Sequence, residues 1–203
     1  MPGQGNKIRA SDYNTIQYYT ERVLGVGDGY YGYGQNVLSS QVQLEDTITS
    51  EQWDNLRLDL LRIRQHQTGA NETSNLTDVT TSTLISEAIR AQYGAFATVA
   101  VANKFTCHPS QGTVEAVQTA TRTRTWKSLV YHYVQITFAD SNAARNYFNA
   151  GGEFRFTASR TGGSSTALNT AISNNLSEMG TVTMNYTSTT CSGTTPKIGR
   201  AHV

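Results

Sequence analysis

The side chains able to act as nucleophile, base or ligand are few, and they are scattered. Cys107 and His108 are adjacent. A thiol and an imidazole can form a nucleophile–base pair when they meet in space, but neighbouring residues tend to point apart. Neither Cys107 nor Cys191 sits in a CxxC, and no second ligand pair has metal-binding spacing. His66 falls near the end of a helical pattern, and His132 falls inside an apolar alternation that reads as a sheet histidine. The carboxylates Asp28, Glu45 and Asp46 form no pair of the kind a glycosidase uses. P-loop, GxSxG, HExxH, Rossmann and zinc-ribbon patterns do not occur. The reading is therefore of no catalytic residue, no metal ligand and no cofactor.

Two other patterns suit contacts rather than reactions. "GVGDGYYGYGQNVLSS" (25–40) sets Tyr30, Tyr31 and Tyr33 among five glycines. Tyrosine combines an apolar ring with a polar tip, so these three form a candidate interaction surface for a sugar or a neighbouring subunit. The Gly-rich run neither follows a strand nor opens a helix, which argues against a phosphate cradle. Arg57, Arg62 and Arg64 share one helix with Asp59 and read as a solvated or intersubunit face. Arg122 and Arg124, in "TRTRTW", read as an edge or assembly contact on one strand face.

Periodicity supplies the elements that would carry these residues. Tyr13, Ile16 and Val23 predict a helix from 11 to 24, with Tyr19 alongside and Thr20 as the one polar residue on its stripe. Trp53, Leu56, Leu60 and Ile63 predict a second from 51 to 66, and Ile89, Tyr93, Phe96 and Ala100 a third from 86 to 103. "IRASDYNTI" (8–16) aligns with "ITSEQWDNL" (48–56), a weak internal repeat at two helix starts. Thr49 and Gln52 have capping-box spacing. The first two helices suggest a hairpin-like pair. Beyond Pro109 the period shortens. Strands are predicted over 128–138, 151–159 and 181–189, with short helices over 139–149 and 164–179. In "RNYFNAGGEFRFTAS" (145–159) the Gly pair reads as a helix stop and a strand start. Crossovers this brief favour antiparallel pairing.

The fold class expected is thus α+β: an N-terminal helical hairpin-like region, then a mainly antiparallel β-rich domain with short helical insertions. The expected organisation is a helical assembly region over 1–70, a linker and helix over 71–109, and an incomplete β-rich domain over 110–196. Residues 197–203, "KIGRAHV", resemble translated sequencing adapter, so truncation at the C-terminus is expected.

Bulk properties narrow the classes. The 203 residues are 37% hydrophobic and 15% charged, with 29 threonines and a net charge of +1. Dropping Lys197 and Arg200 from the 16 basic residues leaves 14 against 15 acidic. That balance argues against a nucleic-acid partner. No apolar run approaches the ~20 residues of a membrane span, and the first residues lack the apolar stretch of a signal peptide. Assembly in a host cytoplasm is expected.

The ordered segments "IRASDYNTI", "VLGVGDGYYGYGQ", "ITSEQWDNLRLDLLRIRQHQTG", "RAQYGAFATVAVANKF", "YFNAGGEFRFTASRTGG" and "LSEMGTVTMNYTSTTCSG" resemble virion structural proteins of marine tailed phages, notably cyanophages. The resemblance spans residues 8 to 193. It implies a tail- or fibre-associated virion protein that acts in particle assembly or host attachment, and no catalytic residues. Its partners would be other virion proteins, further copies of itself and a host-surface glycan. A carbohydrate- or surface-binding module is the alternative, and a tail-associated hydrolase a third.

Overall fold

The computed structural model describes residues 8–43, 46–111, 119–123, 131 and 133–193. The chain divides into two compact units, Met1–Ala150 and Gly151–Val203. Among the described residues 44% are helical and only 5% lie in strands. The expected β-rich domain over 110–196 is therefore not what forms.

In the first unit, α1 (Ala10–Leu24), α2 (Ser50–Thr68) and α3 (Glu87–Ala102) build the core, and α4 (Ser141–Asn149) follows. Each start has a local cause. Asp12 accepts from the Arg9 N–H at 2.9 Å at the head of α1; Ser11, whose hydroxyl the sequence offers as a cap, does not cap the helix. Thr49 and Gln52 close a reciprocal capping box on α2. Ser86 accepts from Ile89 N–H on α3, and Asp140 from Ala143 N–H on α4.

The three long helices run in the same direction. Near their N-termini, Tyr13, Trp53 and Tyr93 share one cluster with Ile16, Leu56 and Leu60. Near their C-termini, Val23, Leu24, Ile63 and Ala100 share another. Trp53 stands edge-on to both Tyr13 and Tyr93, with ring centroids 5.4 and 5.1 Å apart. The phenol of Tyr13 donates to Gln52 O at one end, and Gln67 donates to Ala100 O at the other. This overturns the hairpin-like pair. A helical hairpin needs a connection of a few residues, whereas here the span 25–49 separates α1 from α2, and its described part returns along α1 to Asn14 near that helix's start.

The return segment is itself part of the core packing. Asn14 exchanges two hydrogen bonds with the backbone of Val42, at 2.8 and 2.9 Å, and Val42 is buried. Asp59, 0% exposed, accepts from Leu38 N–H, Ser39 N–H and the Ser39 hydroxyl at 2.8–2.9 Å. The second return, 69–86, buries Leu76 and Val79 in the same cluster as the helices. The isoleucines preceding each helix start, Ile8, Ile48 and Ile85, also pack there, so the repeat seen twice in sequence has a third, weaker counterpart in space.

The second unit holds α5 (Ala167–Met179) and three strands: β1 (Phe154–Phe156), β2 (Val182–Met184) and β3 (Thr189–Cys191). They form one antiparallel sheet in the order β1-β2-β3. Phe154 pairs with Met184 and Phe156 with Val182, so these four share one face, as the alternation predicts. The run 181–189, expected as one strand, is a hairpin: Asn185 accepts from the backbone of Thr187 and Ser188 and turns the chain. The expected strand over 128–138 is absent where it is described. Tyr131 and 133–138 form no ladder, and Val134 and Ile136 are exposed. Alternation alone does not make a strand when no neighbour completes its hydrogen bonds. Residues 128–130 and 132 lie outside the described residues.

Candidate functional site

The structure separates the three tyrosines. Tyr33 is only 6% exposed and belongs to the C-terminal core cluster. Its hydroxyl accepts from Gln67 at 3.2 Å, and burial pushes its pKa up to about 12. Tyr31 is half-buried, with the Arg22 guanidinium 3.9 Å from its ring centroid. Tyr30 is 71% exposed. The expected surface therefore reduces to Tyr30, with Tyr31 as its support and Tyr33 as its anchor.

The loop bearing them is closed at its neck. Tyr33 N–H donates to Val23 O, Gly34 N–H to Gly25 O and Gln35 N–H to Leu24 O, all at 2.8–2.9 Å. Gly32 has φ +101, and a Cβ there would sit 2.2 Å from Val26 O, so only glycine fits this crossing. Arg145 of α4 donates to Val26 O at 2.7 Å, and Arg22 pairs with Asp28 at 3.2 Å.

A cation–aromatic stack runs beneath the loop. Arg22 lies 5.2 Å from the Tyr18 centroid as well as over Tyr31. Lys104 lies 5.2 Å from Tyr31 and 4.7 Å from Phe105. The stack thus joins the end of α1, the loop and the residues after α3. Aligned helix dipoles favour cations at this end, where all three helices finish. Such an arrangement can hold an exposed aromatic side chain out to a partner. It offers a sugar little stacking surface at Tyr31, because Arg22 covers that ring.

The other candidates resolve differently. The Arg57, Arg62, Arg64 and Asp59 face is not a solvated one. Arg64 pairs with Glu72 at 3.2 Å, Arg57 with Asp54 at 3.5 Å, and Arg62 with the buried Asp59 at 3.1 Å. Asp59, placed by its sequence on a solvated or intersubunit face, is instead fully buried. The one signal in the sequence is a carboxylate between Leu56, Leu60 and Ile63 on an apolar stripe. The sulfur of Cys107 meets the carbonyl oxygen of His108, at 3.5 Å, while the His108 ring engages Ser110 at 2.7 Å. They form no nucleophile–base pair, and burial raises the Cys107 thiol. His66 Nε2 lies 2.9 Å from Ala150 O, and its ring packs 4.7 Å from Tyr33. Burial lowers its pKa, against the opposing effect of that hydrogen bond. Asp46 caps a turn by accepting from Gln43 N–H. Arg122 bonds the carbonyl of Tyr131. His132, Glu45 and Arg124 lie outside the described residues.

Among the described residues no group of His, Cys, Asp and Glu is placed to hold a metal ion, and no helix is long and apolar enough to cross a membrane. Comparison with protein-family models, with curated proteins and with solved structures finds no match for the chain.

Proposed function

We propose that the protein is a virion structural component of a tailed phage, tail- or fibre-associated, acting in particle assembly or host attachment. The observation that carries the reading is the braced loop that holds Tyr30 outward. An exposed tyrosine is the kind of residue that anchors protein–protein contacts, because it brings a large ring with few rotatable bonds. The ordered segments that resemble phage virion proteins give the partner its class: other virion proteins, or a further copy of the chain.

The test is made on purified particles of a phage carrying this gene. Mass spectrometry should find the protein at structural copy number, and Tyr30→Ala should lower its incorporation while leaving its melting temperature unchanged. Particles that form and infect without the protein would overturn the reading.

A further inference from the structure

The second unit contains an open groove of about 450 Å³ between residues 157–160 and the C-terminal half of α5. Thr157, Ser159, Ser177 and Thr181 line it with hydroxyl-bearing residues, Leu176 adds an apolar one, and Arg160 is its one cation among the described residues. None of the ion pairs among the described residues uses Arg160; the neighbouring Arg155 pairs with Glu153 instead. The guanidinium has one hydrogen bond among the described residues. Its Nη1 lies 3.4 Å from the Ser173 hydroxyl. On its other side is Gly163, at φ +79, where a Cβ would come within 2.6 Å of Nη2. The chain thus keeps a side chain out of the space the guanidinium occupies.

A planar guanidinium fork matches a carboxylate in two parallel hydrogen bonds. Surrounding hydroxyls match the hydroxyls of a sugar ring, and a leucine matches its C–H face. The volume suits one or two sugar residues, within the range of small-ligand sites. We propose that this groove binds a carboxylate-bearing sugar of the uronic-acid class, with Arg160 contacting the carboxylate. The site is separate from the Tyr30 loop and does not rest on the virion reading.

The test is a titration of the full ¹⁵N-labelled chain, followed by amide shifts, with glucuronate, glucose, acetate and inorganic phosphate as separate probes. Glucuronate should saturate shifts at residues 157–160 and 173–181, binding roughly tenfold more tightly than glucose or acetate, as expected for a charge-assisted pair added to hydroxyl contacts. Arg160→Gln should remove that preference with the amide spectrum otherwise retained. The proposal is overturned if glucose binds as well as glucuronate, if acetate or phosphate alone binds as tightly, or if Arg160→Gln binds glucuronate unchanged. Absence of saturable shifts with glucuronate overturns it equally.

Discussion

Asp59 shows how far one side chain can govern a connection. Its carboxylate satisfies two backbone N–H groups and a hydroxyl on the segment returning from α1, and it is itself fully buried. Asp59→Ala leaves those donors without an acceptor, each a desolvation cost of about 1–3 kcal/mol. The expected loss is about 3 kcal/mol in a urea titration, larger than for Asp54→Ala, which removes only an exposed-side ion pair. His66 supplies a pH dependence. Burial holds its folded-state pKa below the ordinary 6.5, so the unfolded chain binds the proton more readily. Stability is then full above 6.5 and falls as pH drops from there toward the folded pKa. Thermal melts across this window should show the decline, and His66→Gln should flatten it. A decline unchanged in the variant would assign it to other groups.

At the scale of elements, the loop between α1 and its return segment is closed by geometry that one glycine makes possible. Gly32→Ala puts a methyl into the Val26 carbonyl and forces a positive φ on a residue that resists it. Gly29 also has positive φ, but a Cβ there meets nothing within 4 Å, so Gly29→Ala should cost only about 1 kcal/mol of backbone strain. The expected order is a much larger fall in melting temperature for Gly32→Ala, accompanied by loss of protection of the Tyr33 amide. Equal effects would mean that the loop neck is not closed as described. The helices themselves were legible: the stripes Tyr13–Ile16–Val23 and Trp53–Leu56–Leu60–Ile63 are buried. Tyr19 was not, because a residue beside a stripe faces solvent or core according to what crosses the helix there.

The two units differ in how much they bury. The first encloses its large side chains, Trp53, Tyr13 and Tyr93 among them. None of the described residues of the second is buried; Phe154, Phe156, Ile172, Leu176 and Val182 are half-buried. Small units with little enclosed surface have little free energy to resist opening. Hydrogen exchange should therefore be markedly faster for β1, β2, β3 and α5 than for α1, α2 and α3. Comparable protection in the two sets would contradict this. The helix of the second unit, α5, and the strand β1 were readable from local caps and alternation, whereas the hairpin that breaks the run 181–189 was not. The error at this scale lay in extending alternation over 110–196 to a whole sheet.

The amino-acid sequence by itself determined the helices, the capping box of α2 and the buried stripes, because these depend on spacing and on hydrogen bonds within a few residues. It also placed the Gly/Tyr loop and the Phe154–Phe156 strand. Tertiary structure alone decided that α1 and α2 run parallel, that Asp59 lies inside, that Tyr33 is an anchor while Tyr30 is exposed, and that the residues around His132 form no ladder where they are described. These outcomes depend on partners distant in sequence. Asp59 meets Ser39, Gln67 meets Tyr33 and Trp53 meets Tyr93 only after the return segments have chosen their path, and no local pattern encodes that choice.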